Sequence, residues 1–150
     1  MAVSSSPTSS PVAFPEDTKE AFTNLKIRRK ARYIIFEFED LNLNTTYISP
    51  RDAKAETMVA GLPATKAQYI LFDHDTLSRD GRPRSRLFLF AWCPPSASIE
   101  SKMLVSSQLR SVCQVFNGVE EHNVSSVAAV RDLLELDQSS EESDWDPDDD

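Results

Sequence analysis

Two neighbouring runs set the strongest limit on how this chain folds. Residues 68–77 (QYILFDHDTL) and 84–92 (RSRLFLFAW) are each rich in aromatic and β-branched or aliphatic residues, and Asp80-Gly81 lies between them. Such runs favour strands, and Asp-Gly is a hairpin-turn signature. The apolar residues are continuous rather than alternating, which predicts a hairpin covered on both faces, at the centre of a sheet.

The other segments supply the covering layers. Pro15 is a suitable first helical residue, Glu16 and Asp17 suit the positive end of a helix dipole, and Phe22 and Leu25 share one face. A helix is predicted from about Pro15 to Arg28. Residues 32–38 (RYIIFEF) read as a strand, and 41–48 (LNLNTTYI) as its period-two partner, stopped by Pro50. A short helix over 54–61 ends at Gly61 and Pro63. After Pro94-Pro95, Ser96 or Ser98 caps a long helix to about Phe116, with Ile99, Met103, Val112, Val115 and Phe116 as its apolar side and Asn117-Gly118 as its left-handed cap. A brief strand near 119–124 and a helix near 126–136 follow, the latter with Val127, Val130, Leu133 and Leu134 at 3–4 spacing. The order α-β-β-α-β-β-α-β-α predicts an α/β fold: a mixed five-stranded central sheet with helices on both faces.

Charge divides the chain. The 150 residues carry a net charge of −8. Eight of the 24 acids fall in residues 137–150, which hold no Lys or Arg, so residues 1–136 are neutral. Three parts are expected: a flexible Ser- and Pro-rich segment 1–14, a domain 15–136, and a disordered acidic tail 137–150. No apolar run is long enough for a transmembrane helix, and Met1–Pro15 lacks the features of a signal peptide. Cys93 and Cys113 make no disulfide framework, which favours a reducing, cytoplasmic setting.

The chemistry inventory argues against an enzyme. His74 and His122 are far apart in sequence, Asp73-His74-Asp75 reads as a solvated strand end, and Cys93 reads as a small hydrophobe after a buried strand. No metal-ligand spacing or phosphate-binding loop is present, and no cofactor is expected. Binding surfaces are better marked. Lys26, Arg28, Arg29, Lys30 and Arg32 form one basic stretch, and Arg79, Arg82, Arg84 and Arg86 another around the hairpin tip. No aromatic-basic motif of a nucleic-acid module accompanies them, so nucleic acid is not the expected partner. Arg84 and Arg86 alternate, so both project from one face of their strand toward an acidic protein surface. The 26–32 stretch is also a candidate nuclear-import signal.

At residues 91–103 (AWCPPSASIESKM) the sequence resembles the actin-depolymerizing factor (ADF)/cofilin family. Trp92 and Pro94 supply the family's Trp-x-Pro strand end, and Ser101, Lys102 and Met103 its Ser-Lys-Met helix opening. FTNLKIRRKARYIIFEFED (22–40) and LPATKAQYILFD (62–73) look like the family's first helix and strand and its third strand. The resemblance covers roughly residues 10–136 and implies an ADF-homology, gelsolin-like fold.

It also implies binding of actin monomers and filaments, with severing or depolymerization, by a protein expected to act as a monomer in the cytoplasmic actin cytoskeleton. Ile99, Ser101, Lys102 and Met103 carry over to the monomer-contacting face. Arg84 and Arg86 carry over to the filament contact. Ser10 matches the family's regulatory N-terminal phosphorylation site, where phosphate would repel acidic actin. The sequence departs from the pattern at Glu100, where a basic residue is usual. Leu109, Cys113 and Gln114 replace mid-helix bases, Val105 a Tyr, and Glu135-Leu136-Asp137 a basic last helix. These changes weaken the expectation of filament binding and of phosphoinositide inhibition. They leave open an alternative: an ADF-homology adaptor that regulates the branched-actin nucleator or sequesters monomers, as the related glia maturation factors do with the nucleator. In that reading the tail SSEESDWDPDDD (139–150) is a partner segment anchored by Trp145.

Overall fold

The computed structural model describes residues 12–134 and Leu136. The sheet has the order β2-β1-β3-β4-β5, formed by β1 (Tyr33–Glu39), β2 (Asn42–Ile48), β3 (Gln68–Leu77), β4 (Pro83–Trp92) and β5 (Glu120–Val124). The predicted hairpin is its centre. β3 and β4 pair antiparallel over ten residues each, from Gln68 opposite Trp92 to Leu77 opposite Pro83. Gly81 sits at φ +86°, a left-handed conformation that a side chain would strain. β1 joins β3 and β2 antiparallel, and β5 closes the other edge parallel to β4.

Helices cover both faces, as the element order requires. α1 (Glu16–Lys26), α3 (Ile99–Ser107) and α4 (Leu109–Val115) pack on one face. There Leu25, Phe22, Val105, Val112 and Phe116 meet Ile34, Phe36, Tyr69, Leu71 and Leu89. α2 (Ala55–Ala60) and α5 (Val127–Leu133) pack on the other. Met58, Val59, Val130 and Leu134 there meet Tyr33, Ile70, Phe72, Phe88, Phe90 and Trp92. Alternate residues of β3 and β4 thus feed two cores, which explains their unbroken apolar sequence.

Two boundaries differ from the sequence reading. The long helix expected over 98–116 is two helices, interrupted at Gln108 (φ −96°, ψ 3°). The break follows Ser106-Ser107, and the Ser107 hydroxyl donates to the Leu104 carbonyl (3.4 Å). Serine side chains that bond to the backbone weaken a helix at such a point. The last helix, expected near 126–136, runs from Val127 to Leu133 and turns at Leu134, with Leu136 again helical. Asn117-Gly118 does turn the chain after α4, with Gly118 at φ +82°. The Lys26 ammonium lies 2.8 Å from where a Gly118 Cβ would stand, so the approach also favours glycine.

Among the described residues no helix is long and apolar enough to cross a membrane.

Candidate functional site

The start of α3 is built as a presented surface. Ser98 caps the helix in extended conformation and its hydroxyl accepts from the Ser101 amide (3.1 Å), while the Ser101 hydroxyl donates back to the Ser98 carbonyl (3.1 Å). Lys102 Nζ reaches back to the Pro95 carbonyl (3.1 Å), which fixes the preceding turn against the helix. With the first turn held, Ile99 and Met103 stand one turn apart on the same side. They are 69% and 64% exposed, so of the expected apolar side Val112 and Phe116 enter the core while Ile99 and Met103 face outward, because the helix is interrupted before Val112. Val105, on the opposite side, is buried, and its carbonyl accepts from the Tyr69 hydroxyl (2.6 Å). The four residues expected at the monomer face, Ile99, Ser101, Lys102 and Met103, are therefore brought together.

The departures along this helix pair also acquire a physical reading. Leu109 and Cys113 are partly buried against the core, and Val105 belongs to it. These positions turn inward here, which suits apolar residues better than bases. Glu100 is exposed in the first turn, where its charge favours the helix dipole. Arg110, which the sequence reading passed over, is the exposed base of α4.

Arg84 and Arg86 share one face of β4, the face of Phe88 and of α2 and α5, but they are in different states. Arg86 makes a bidentate pair with Glu120 (2.9 and 2.7 Å) and its guanidinium lies 4.8 Å from the Phe88 ring centroid. That hydrogen bond, followed by the charge of Arg86, outweighs burial and holds the Glu120 carboxyl below its usual range. Arg84 is exposed and lines a cleft of about 540 Å³ with Arg29, Asp75, Thr76, Leu77, Pro83 and Ser85. The two candidate contact regions sit at opposite ends of β4: Arg84 where it begins, the start of α3 just beyond its end.

The 26–32 stretch differs from its sequence reading as a free basic patch. Lys26 binds the Asn117 carbonyl and side chain (2.9 and 3.0 Å), and Arg28 binds Asn24 (2.8 Å). Arg29 pairs with Asp73 and Asp75 (3.0 Å each), and Arg32 pairs with Asp75 (3.0 Å) and donates to the Asp73 and Arg51 carbonyls. Arg51, not singled out by sequence, completes the set with a 2.8 Å bond to Asp73. The Asp73 side chain is fully buried and its Oδ1 has no partner among the described residues. Burial raises the Asp75 carboxyl, but the Arg32 hydrogen bond and the charges of Arg32, Arg51 and Arg29 bring it below the ordinary value. Asp73-His74-Asp75 is thus an internal electrostatic joint rather than a solvated strand end.

The thiols are poor nucleophiles. Burial raises Cys93, and burial followed by the Glu121 hydrogen bond pushes Cys113 up to about 12. Among the described residues no group of His, Cys, Asp or Glu is placed to hold a metal ion. Ser10, Trp145 and the acidic segment 137–150 lie outside the described residues.

A family model described as cofilin/tropomyosin-type actin-binding protein matches residues 11–141. The chain belongs to the ADF/cofilin family. Actin-depolymerizing factor 3 of Arabidopsis thaliana is 34% identical over 111 residues, spanning 73% of this chain and 80% of the relative. In three dimensions this ADF/cofilin protein is similar to actin depolymerization factor 2 of Plasmodium berghei (TM-score 0.74, 20% identity, 85% of this chain and 96% of that one). It is also similar to glia maturation factor from Caenorhabditis elegans (TM-score 0.71, 16% identity, 89% and 99%). At such identities the two structures speak for the fold of this ADF/cofilin protein, and the sequence matches for its membership.

Proposed function

We propose that this protein binds actin monomers through the start of α3, grips filaments through the β4 arginines, and promotes filament severing or depolymerization. The observation that carries the reading is the exposed Ile99–Met103 pair beside Lys102, behind the Ser98 cap. A soluble fold gains nothing by exposing two large apolar side chains on a rigid turn, whereas a partner cleft that buries them gains about 1.5–3 kcal/mol for each. Lys102 sets the register against an acidic surface. The work is binding, not bond chemistry: a protein that favours one filament geometry strains its boundaries. Arg84 supplies the filament-side cation. Phosphorylation at Ser10 would add negative charge just before the bridge that Ala13 makes to Asn42 and oppose binding.

Filament co-sedimentation and a pyrene-actin disassembly assay test this reading. The wild type is expected to pellet with filaments and accelerate their loss, and Met103→Asp to weaken monomer binding at least tenfold. Absence of both wild-type activities would overturn it.

Glu100 favours a second reading, the adaptor that regulates the branched-actin nucleator or sequesters monomers, because it sets an exposed acid within the presented turn. Glu100→Lys separates the two. A gain in filament affinity marks an adaptor whose filament contact was weakened, and no change favours the disassembly factor.

A further inference from the structure

We propose that the acidic segment 137–150 docks back onto its own domain, on the α2/α5 face at the hairpin end of the sheet, with carboxylates on Arg84 and Lys54. The path of the chain brings the segment there. Val127 follows β5, which ends with Val124 opposite Trp92. Four residues later Arg131 pairs with Glu56 in the first turn of α2 (2.8 Å). That turn adjoins the middle of β3: Lys54 and Ala55 line a cleft of about 260 Å³ with Arg32, Phe72, His74 and Asp75. α5 therefore runs back toward the beginning of β4, and Leu134 and Leu136 pack on the face from which Arg84 and Arg86 project.

Charge selects the occupant. Arg84 and Lys54 are exposed, and among the described residues neither has a carboxylate partner. Their neighbours are already answered: Arg86 by Glu120, Arg32 by Asp75. The 26–32 stretch is also largely engaged, by Asp73, Asp75, Asn24 and Asn117. Residues 137–150 carry eight acids and no base, and they begin immediately beyond this face. From Leu136 to Asp144 an extended chain reaches about 26–29 Å. Arg84 lies four residues along β4 from Phe88, about 13 Å. Tethering holds the carboxylates at an effective concentration on the order of millimolar, so individually weak exposed pairs suffice in number. Trp145, set between Asp144 and Asp146, offers a ring to a guanidinium that its neighbours' carboxylates engage. The docked segment covers the cation assigned above to the filament. That consequence, unlike the docking, rests on the proposed function.

The test uses the full chain, isotopically labelled for amide NMR, beside a variant with Asp144, Asp146, Asp148, Asp149 and Asp150 all changed to Asn. The variant is expected to displace the signals of Lys54–Glu56, Thr76 and Arg84–Arg86. Raising salt from about 20 to about 300 mM should displace the same wild-type signals, independently of protein concentration. Arg84→Glu should in turn move the signals of Asp144–Asp146. Unmoved signals overturn the docking, as do changes confined to Lys26–Arg32 or changes lost on dilution, which would indicate a second copy. Filament co-sedimentation adds the second arm: the acid-neutralised variant should bind at least threefold more tightly. If the NMR contact is present but filament affinity is unchanged, the docking stands and the filament role of Arg84 falls.

Discussion

Residues 26–32 and 79–86 look alike as strings of bases, five in one and four in the other, and the fold treats them differently. In the first, Arg29 and Arg32 turn onto Asp73 and Asp75 and tie the α1–β1 connection to β3, with Arg51 joining from the β2–α2 connection. In the second, no buried acid among the described residues pairs with the bases. Arg79 and Arg84 stay exposed, the Arg82 side chain pairs with its turn neighbour Asp80, and Arg86 finds Glu120 on β5. The difference teaches that a cluster of like charges has no fixed role: what lies one strand away decides whether it stabilises the fold or meets a partner.

The comparison breaks most easily at Asp73. Asp73→Ala removes a fully buried carboxylate from between Arg29 and Arg51 and is expected to cost about 3 kcal/mol, read as a lowered midpoint in urea melts. A loss under 1 kcal/mol would show that the first stretch is not structural. Next, Arg84→Glu should weaken filament co-sedimentation about tenfold while leaving the melt nearly unchanged, because Arg84 is exposed and makes no ion pair among the described residues. Arg86→Ala separates the two neighbours on β4: it should cost about 1 kcal/mol of stability, since Glu120 loses its bidentate partner but stays partly solvated.

Acid provides a smaller effect with a defined sign. The Glu120 and Asp75 carboxyls are held below their ordinary values in the fold, so the unfolded chain binds their protons first. Their contribution is fully present at neutral pH and is lost as pH falls below about 4 toward the lowered native values. Urea melts at pH 7 and pH 3 should converge for Glu120→Gln more than for the wild type. Smallest of all, Lys30→Ala should lie within about 0.5 kcal/mol of wild type, because Lys30 is exposed and makes no ion pair among the described residues.

The fold was largely legible because its signals are local. The apolar runs of β3 and β4, Asp80-Gly81 between them, and Asn117-Gly118 each act within a few residues. The Ser98 cap is local too, but the candidate monomer face rests on the family resemblance at Ser101-Lys102-Met103, because helical spacing alone places Ile99 and Met103 with the apolar side and does not mark them as exposed. The break at Gln108 was missed because helical periodicity continues through Ser106-Ser107 while the backbone bonding does not. The Asp73 joint was missed for a different reason. Arg29, Arg51 and Asp73 are separated by about twenty residues at each step and meet only through the pairing of β1 with β3. Composition marks such residues as charged; only topology marks them as partners.

The parallel bridge from Ala13 to Asn42 has a consequence of its own. The Ala13 amide donates to Leu41 (2.8 Å) and its carbonyl accepts from Leu43 (2.9 Å), and Val12 beside it is buried. The chain is therefore pinned at the first turn of the sheet, just ahead of α1. The two hydrogen bonds answer backbone groups at the start of β2, an edge strand whose outer side is otherwise open there among the described residues, so the residues ahead of α1 shield the sheet edge at the β1–β2 turn.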